Sequence, residues 1–441
     1  MIEINGKKIL LLGLGLHGGG AATARWLHKH GAALVVSDLR NKKILEPSIN
    51  TLAKHAGITY VLGKHREKDV QWADYIVYNP GVPKESKYLQ LARRLNKPVY
   101  NEASLFFDRC RAPIIAVTGT RGKSTTAALI AAMCKKKNPR TVLAGNIKTA
   151  FMLDVLDRAT RNHLVVLELS SWQLEGLNIV RGAPHIAVVT NLYPDHLNRY
   201  KSLVQYFNSK KEIFRHQTGE HVLVLNGDDA LLAAWIKEAD SRAVFFSKKL
   251  SPEDRALIKG IHFNGEHNLE NSLAAAAVAR LCGVSKAAIK SVLKNPPVLA
   301  GRQEVLGFKK GVTYVNDTTA TTPEAGIAGL KRFGANGKRI ILIAGGADKK
   351  LVFGEWAAAV KRHCKAVFLL SGDASVKQKK ALTGFKKVDA GHHDLSVLTA
   401  AAAASAKKGD IILFSPASAS FNLWLHEFDR GDSFISAVKS L

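Results

Sequence analysis

The sequence predicts an α/β protein with mainly parallel sheets, divided into three domains. Apolar runs of strand length alternate along the chain with helical patterns, an order typical of parallel strands joined by helices. The predicted strands are residues 8–13, 34–37, 75–77, 114–117, 164–167, 186–190, 222–225, 339–343, 366–370 and 410–414. Because 441 residues are too many for one ordinary core, we divide the chain at breaks near residues 110 and 298. The predicted domains are 1–110, 111–298 and 299–441.

The N-terminal domain opens with a glycine-rich turn after its first predicted strand. Gly13 to Gly18 reads G-x-G-x-x-G, and Asp38 ends the next strand, where a Rossmann domain carries its ribose-binding acid. Alone, this pattern favours a nicotinamide dehydrogenase. A second nucleotide motif later in the chain, which a simple dehydrogenase does not need, favours a Rossmann-like domain that holds a nucleotide-linked substrate by its diphosphate.

The central domain begins with the most specific motif, VTGTRGKSTT at residues 117–126. A strand that leads through a glycine turn into a helix directs backbone N–H groups and the helix N-terminus at one point, which suits phosphate. Lys123 reaches the terminal phosphates of a nucleotide, and the Ser124 hydroxyl ligates Mg²⁺. Val117 stands where the standard P-loop has glycine, so this is a shorter variant. We predict a P-loop-type central ATPase domain and a second Rossmann-like domain at the C-terminus.

Two residues that follow neighbouring strands are candidate ligands for the same Mg²⁺. Glu168 follows the strand 164–167, and His196 lies beyond the strand 186–190. Because the carboxyl ends of parallel strands face one crevice, both side chains can approach the ion held by Ser124. Mg²⁺ prefers oxygen ligands, so a structural role for His196 is the alternative.

The charge balance raises nucleic-acid binding as a second hypothesis. The formal net charge is +28 and the isoelectric point is near 9.9. The basic residues are scattered in short runs, such as 135–137 and 379–380, without an aromatic-basic stripe or a nucleic-acid module. We therefore expect a solvated basic surface and no specific nucleic-acid partner.

The sequence predicts a cytoplasmic monomer that does not enter a membrane. No apolar run is long enough to span a bilayer. The first run, residues 9–16, is strand-length and continues into glycines without a cleavage site. The four cysteines, Cys110, Cys134, Cys282 and Cys364, lie far apart, as is typical of free thiols in a reducing compartment.

Taken together, the motifs resemble those of the Mur ligases of peptidoglycan synthesis. The matching segments follow the family's order over nearly the whole chain: GTRGKST at 119–125, ELSSWQLE at 168–175, DHLNRY at 195–200, GEHNLEN at 265–271, GR at 301–302, NDTTAT at 316–321, SPASAS at 415–420 and FDRG at 428–431. The resemblance implies an enzyme that uses ATP to phosphorylate a carboxylate. The amine of an amino acid then attacks the acyl phosphate, giving an amide, ADP and phosphate.

The resemblance also implies roles for individual residues. The implied catalytic residues are Lys123, His196 and Lys211. The implied ATP-binding residues are Gly119, Thr120, Gly122, Lys123, Ser124, Thr125, Asn268, Asn271, Arg302 and Asp317. The implied metal-binding residues are Ser124, Glu168, His196 and Lys211. A UDP-linked muramyl substrate and a free amino acid are expected at Leu16, His17, Asp38, Arg40, Asn146, Thr321, Lys349, Ser420 and Phe428.

One implied feature is a carbamylated lysine. Reaction with CO₂ turns a lysine cation into an anion that can position Mg²⁺ beside the reacting phosphate, whereas an ammonium would repel the metal. Lys211, fifteen residues after His196, occupies the matching position, and Lys210 is the alternative if the register shifts by one. The alternative interpretation is that Lys210 and Lys211 are an unmodified pair of surface lysines.

The order and spacing of the C-terminal motifs favour D-glutamate as the added amino acid. Two departures from the family pattern bear on this expectation. Thr319 replaces a lysine found in many relatives, and the aromatic residue expected after Ser420 falls one place off, so that either Glu427 or Phe428 could occupy its site. A Mur ligase that adds a different amino acid and a relative of folylpolyglutamate synthase therefore stay open. A basic nucleic-acid-binding ATPase ranks third.

Overall fold

The computed structural model describes residues 1–147, 150–195, 199–261, 265–348, 350–420 and 424–441. The chain forms two compact units, Met1–Pro297 and Val298–Leu441. The first unit contains two sheets and the second contains one, with helices between the strands. The predicted α/β class is confirmed, while the three domain boundaries stay a prediction.

The first sheet has five parallel strands in the order β3-β2-β1-β4-β5. Its elements are β1 (Lys8–Leu12), α1 (Gly19–Lys29), β2 (Ala33–Asp38), α2 (Lys42–Asn50), β3 (Thr59–Leu62), α3 (Glu67–Trp72), β4 (Tyr75–Tyr78), α4 (Lys87–Arg94), β5 (Val99–Tyr100) and α5 (Glu102–Arg109). The central strand β1 is buried from Ile9 to Leu12, as expected where helices cover both faces of a parallel sheet. The strand order reverses between β1 and β4, the point at which open α/β sheets bind ligands.

The second sheet has six parallel strands in the order β11-β10-β9-β6-β8-β7. Its elements are β6 (Ile114–Thr118), α6 (Lys123–Lys135), β7 (Thr141–Gly145), α7 (Met152–Leu156), β8 (Leu164–Glu168), α8 (Ser171–Leu174), α9 (Leu177–Val180), β9 (Ile186–Val189), α10 (Leu203–Lys211), β10 (Val222–Asn226), α11 (Ala230–Ala234), a 3₁₀ helix (Trp235–Glu238), β11 (Arg242–Phe246), α12 (Pro252–Ile258), α13 (Glu266–Leu281) and α14 (Lys286–Lys294). The alanine-rich helices α6 and α13 pack in one core against β6. This core anchors the loop between β6 and α6.

The third sheet forms the second unit, in the order β12-β13-β17-β14-β15-β16, with only the β12–β13 pair antiparallel. Its elements are β12 (Glu304–Lys309), β13 (Val312–Asn316), α15 (Pro323–Phe333), β14 (Ile340–Ala344), α16 (Gly354–His363), β15 (Cys364–Leu370), α17 (Asp373–Ala381), β16 (Val388–His392), α18 (Leu395–Ser405), β17 (Ile411–Phe414) and α19 (Glu427–Ser440). The sequence motifs at 316–321 and 415–420 follow the adjacent strands β13 and β17. They therefore share one edge of this sheet.

All ten predicted strands are present, each within two residues of its predicted bounds. Most of the strands that were not predicted lie at sheet edges: β3 and β5, β7 and β11, and β12 and β16. Within the described ranges, no helix is long and apolar enough to cross a membrane.

Candidate active site

The loop from Gly119 to Gly122 leads β6 into α6 and depends on glycine. Gly119 and Gly122 have φ values of 144° and 78°, which favour glycine. A Cβ atom at Gly119 would lie 1.9 Å from the Thr190 hydroxyl oxygen, and one at Gly122 would lie 2.1 Å from the Asn271 side-chain oxygen. Both positions thus exclude other residues. The loop opens a 13-residue helix, and the N-terminus of that helix is suited to phosphate.

Residues after β9 hold this loop in place. The Thr120 and Arg121 N–H groups donate to the carbonyl and side-chain oxygens of Asn191, at 3.0 and 2.8 Å. The Thr190 hydroxyl donates to the Arg121 carbonyl at 2.6 Å, and the Thr120 and Tyr206 hydroxyls share a hydrogen bond of 3.2 Å. The loop is therefore ordered by the protein itself, which reduces the entropy lost when a ligand binds.

Two lysines converge on the loop. Lys123 Nζ donates to the carbonyls of Gly119 and Thr120 at 3.1 and 3.0 Å, and Lys210 Nζ donates to the Gly119 carbonyl at 2.8 Å. Lys210 is only 1% exposed. Burial, followed by the charge of Lys123, lowers the pKa of Lys210 well below its ordinary value. The site therefore brings together two lysines, and burial makes Lys210 less ready than an ordinary lysine to hold a proton.

Glu168 supplies a buried carboxylate beside the loop. It ends β8 and pairs with Val117 of the neighbouring β6, and it is 2% exposed. Its Oε1 accepts a hydrogen bond from the Asn146 amide at 3.4 Å, whereas no described residue donates to its Oε2. A buried carboxylate oxygen without a donor is costly unless a cation neutralises it. Glu168 and the Ser124 hydroxyl, both hard oxygen donors, thus fit Mg²⁺.

The predicted ligand His196 lies outside the described residues, as does the predicted substrate residue Lys349. In the part of the chain that the structure describes, no three histidine, cysteine, aspartate or glutamate side chains come together as a metal cluster. Mg²⁺ at phosphate sites commonly uses one or two carboxylates and completes its ligand shell with water and phosphate oxygens. Glu168 and Ser124 are compatible with that mode.

Helix α13 supports the loop from the side opposite Asn191. Asn271 is buried and accepts a hydrogen bond from the Thr126 hydroxyl at 3.3 Å, directly beside Gly122. Asn268 precedes it by one turn on the same helix face and is half-buried. Asn271 therefore shapes the loop, while Asn268 is the more accessible of the two predicted ATP-binding asparagines.

In the first sheet, Asp38 organises the glycine turn that the sequence predicted to bind substrate. One carboxylate oxygen accepts a hydrogen bond from the Gly15 N–H, and the other accepts one from the Arg40 N–H, both at 2.9 Å. Asp38 is 2% exposed, whereas His17 and Arg40 are exposed. The accessible groups for a substrate are thus the turn's own backbone and these two side chains, with Asp38 beneath them.

In the second unit, Asp317 follows β13 and is buried. It accepts hydrogen bonds from the Ser415 hydroxyl at 2.8 Å and the Gln303 N–H at 3.1 Å. Burial nevertheless raises the pKa of Asp317 to about 7. On the same sheet edge, the buried Ser420 hydroxyl has no hydrogen-bond partner among the described residues. The Ser420 hydroxyl is therefore available to a polar ligand. A nearby positive charge would stabilise the Asp317 carboxylate.

A buried cation holds these loops together. Arg430 of α19 is fully buried and donates to the carbonyls of Thr318 and Ser418, at 2.8 and 3.1 Å, and to the Thr318 hydroxyl at 3.3 Å. Burial lowers its pKa to about 9. Arg430 thus joins the loops after β13 and β17, which carry the predicted substrate residues Thr321 and Ser420.

The chain was compared with known proteins. The Mur ligase MurD-like N-terminal domain matches residues 7–101, the Mur ligase middle domain matches 117–279, and the Mur ligase glutamate ligase domain matches 301–418. UDP-N-acetylmuramoylalanine--D-glutamate ligases from Roseiflexus sp. (strain RS-1) and Borreliella afzelii (strain PKo) are 38% and 37% identical to the chain. The alignments cover 100% of this chain and 100% and 99% of those proteins, respectively. The chain belongs to the Mur ligase family.

Solved structures share the fold of this Mur ligase. MurF ligase from Thermotoga maritima in complex with ADP has a TM-score of 0.57 at 19% identity, covering 99% of this chain and 96% of that one. A murein peptide ligase from Psychrobacter arcticus 273-4 has a TM-score of 0.56 at 15% identity, covering 99% of both chains. The Rossmann-like fold prediction is thereby confirmed.

The Mur ligase structure places the two candidate lysines, Lys211 and Lys210, differently with respect to the loop. Its Nζ lies 2.5 Å from a carboxylate oxygen of Glu238, which is exposed, and 5.3 Å from the centre of the Trp235 ring. Successive residues of an α-helix point about 100° apart, so Lys211 faces away while Lys210 reaches the loop. Lys210, the alternative register, is thus the lysine that contacts the loop.

Several residues of the Mur ligase site were missed by the sequence reasoning. They are Thr190 and Asn191, which hold the loop; Tyr206, which shares a hydrogen bond with Thr120; and Arg430. Only the position of Thr190 and Asn191 at a strand end signalled their role. Arg430 lies inside a recognised motif, but burial, which the sequence does not reveal, makes it important.

We expect Arg430→Met to weaken amino-acid use by this Mur ligase. The substitution leaves the Thr318 and Ser418 carbonyls without donors, at a cost of about 1–3 kcal/mol each, and releases the loops. The Michaelis constant for the amino acid should rise about tenfold, with that for ATP less affected, as steady-state phosphate release would measure. The exposed Arg362 provides the control, because Arg362→Met should change neither constant. Equal effects of the two variants would refute the assignment.

Proposed function

We propose that this Mur ligase joins D-glutamate to UDP-N-acetylmuramoyl-L-alanine, using ATP and Mg²⁺, in peptidoglycan precursor synthesis. The observation that carries the proposal is the full-length similarity to relatives named UDP-N-acetylmuramoylalanine--D-glutamate ligase, at 31–38% identity. The phosphate loop, Lys123 and Glu168 provide the chemistry that such a reaction requires. We also propose that the enzyme is cytoplasmic and monomeric. Light scattering of the purified protein would test whether it is a monomer.

The loop and Lys123 act in the first step, phosphoryl transfer. A carboxylate oxygen of the muramyl substrate attacks the γ-phosphorus of ATP, and the bond to the β-phosphate oxygen breaks with release of ADP. Negative charge on the transferred group is stabilised by the N-terminus of α6 and by Lys123, once its ammonium exchanges the Gly119 and Thr120 carbonyls for phosphate oxygens. When bound by Ser124 and Glu168, Mg²⁺ would add charge neutralisation at the phosphate oxygens.

The second unit acts on the incoming amino acid. The amine of the amino acid attacks the carbon of the acyl phosphate and a tetrahedral intermediate forms. The bond from that carbon to the phosphate oxygen then breaks, which leaves the amide. A dicarboxylic amino acid requires hydrogen-bond donors for its carboxylates. The buried Ser420 hydroxyl, which no described residue engages, and Thr321 are the candidate donors, on loops held by Arg430.

We further propose that Lys210 is carbamylated in the active enzyme. A neutral amine reacts with CO₂ to form a carbamate and release a proton, and burial favours the neutral amine at Lys210. The product is an anion, which the neighbouring Lys123 cation would stabilise, whereas two adjacent ammonium groups repel each other. The carbamate would add an oxygen donor near the loop.

Labelled CO₂ tests this modification directly. We expect enzyme equilibrated with ¹³C-bicarbonate to show a carbamate carbon signal that disappears in Lys210→Met and persists in Lys211→Met. A signal lost only in the Lys211 variant, or no signal in fully active enzyme, would overturn the proposal.

The amino-acid specificity is tested by substrate competition. With UDP-N-acetylmuramoyl-L-alanine and ATP, we expect D-glutamate to give the highest catalytic efficiency among D- and L-amino acids, measured by phosphate release and by mass of the product. L-glutamate controls for charge and size, since it differs only in the direction of its amine. If L-glutamate, lysine or alanine exceeded D-glutamate, the assignment would fail, while the ligase activity would stand.

A further inference from the structure

A cavity lies in the first unit, at the end of α6 remote from the phosphate loop. It has a volume of about 330 Å³, and its lining includes Cys134, Cys282, Lys137, Arg161 and His163. Helix α6 has 13 residues, so its ends are roughly 18 Å apart. The cavity is thus separate from the loop that begins the helix.

Two thiols line this cavity. Cys134 lies in the last turn of α6 and is 1% exposed, while Cys282 directly follows α13 and is half-buried. Lys137 Nζ donates to the Cys282 carbonyl at 2.9 Å, which connects the two helix ends. The chain's other cysteines, Cys110 and Cys364, are not part of this cavity lining.

We propose that Cys134 and Cys282 form a redox-sensitive dithiol that reacts with an anionic low-molecular-weight disulfide bound in this cavity. Lys137, Arg161 and His163 give the entrance a basic character that attracts such a molecule. Cytosolic cysteine pairs that form disulfides are commonly redox sensors or catalysts.

Cys282 is the thiol that attacks. It is half-buried, whereas Cys134 is 1% exposed, so a molecule in the cavity reaches Cys282 first. The contact with Cys134, followed by the Lys137 charge, lowers the pKa of Cys282, which favours the thiolate, the reactive form.

The reaction has two exchange steps. The Cys282 thiolate attacks one sulfur of the small disulfide, forming a mixed disulfide and releasing one small thiolate. Cys134 then loses its proton to solvent and attacks the Cys282 sulfur, which breaks the mixed disulfide and releases the second thiolate. The protein dithiol loses two electrons, and the small disulfide gains them.

Closure of this disulfide would reach the phosphate loop through two helices. Helices α6 and α13 are in contact at the loop end, where Asn271 lies beside Gly122 and accepts a hydrogen bond from the Thr126 hydroxyl. Their opposite ends are joined by the hydrogen bond from Lys137 to the Cys282 carbonyl, beside the two cysteines. A covalent bond there fixes α13 against α6, so we expect ATP affinity to fall about threefold or more. Of the measurements proposed below, only the ATP affinity depends on the proposed function.

Oxidised glutathione is the probe for the full-length enzyme. We expect incubation to protect two of the four cysteines from alkylation, and peptide mapping to identify a Cys134–Cys282 cross-link. Cys110→Ser/Cys364→Ser should respond like the wild type, and Cys282→Ser should form no intramolecular cross-link. Absence of the cross-link in the wild type, or pairing that involves Cys110 or Cys364, would overturn the proposal.

Two further measurements separate the parts of the proposal. Arg161→Gln should slow the reaction with glutathione disulfide about twofold to threefold at low salt, but not the reaction with uncharged hydrogen peroxide. Equal effects on both oxidants would refute the anion site. Calorimetric titration with ATP should show the weaker binding in the cross-linked wild type only. Unchanged affinity in the cross-linked enzyme would refute the coupling, independently of whether ligation occurs.

Discussion

Lys123→Ala should lower the turnover of ATP-dependent ligation by about 100-fold or more, because it removes the cation that stabilises the transferred phosphate. In the structure, Lys123 Nζ donates to the loop carbonyls of Gly119 and Thr120, and a phosphate oxygen can replace them as acceptors. The measurement is single-turnover formation of the amide product, with ATP binding followed separately by calorimetry.

The matched control is Lys135→Ala, at the opposite end of the same helix. Lys135 is exposed, so its replacement removes an equal charge at a remote position and should leave turnover unchanged. The melting temperatures of both variants should stay close to that of the wild type, since neither side chain is part of the core. If Lys123→Ala retained more than about a tenth of the wild-type turnover, the large electrostatic effect assigned to Lys123 would be wrong.

The sequence predicted the central strands of each sheet better than the edges. Central parallel strands such as β1, β6 and β14 are buried on both faces, and so appear as continuous apolar runs. An edge strand such as β16, with the sequence VDAGH, is half-exposed and contains glycine and charge. Its pairing with β15 depends on the tertiary fold rather than on a local pattern, and sequence reasoning could not recover it.

The candidate site divides in the same way. The phosphate loop was predictable, because its glycines and Lys123 follow from local backbone geometry. Its supports were not, since Asn191 and Asn271 approach from segments about 70 and 150 residues away. The choice between Lys210 and Lys211 was also beyond residue counting, because a shift of one residue on α10 separates a buried amine from an ion pair with Glu238. Three-dimensional placement decides which lysine meets the loop.

This placement leads to the second large expected effect. Lys210→Met should reduce turnover by about 100-fold or more, because the carbamate proposed at Lys210 would be lost from the site. Methionine matches the length of the buried lysine stem, so the fold should be retained while the Nζ atom beside the Tyr206 ring is removed. Lys211→Met removes only a partly exposed ion pair with Glu238, worth little in water, and should keep turnover within about threefold of the wild type.

Chemical rescue distinguishes a lost carboxylate from a damaged fold. If the Lys210 carbamate supplies an oxygen ligand, acetate or formate at high concentration should partly restore the turnover of Lys210→Met, whereas chloride at equal ionic strength should not. Removing bicarbonate should lower wild-type turnover and leave Lys210→Met unaffected, because that variant has no amine to carbamylate. Inactivation of Lys211→Met with full activity in Lys210→Met would reverse the assignment. An active Lys210→Met enzyme would show that the buried amine serves the loop only as a hydrogen-bond donor to Gly119.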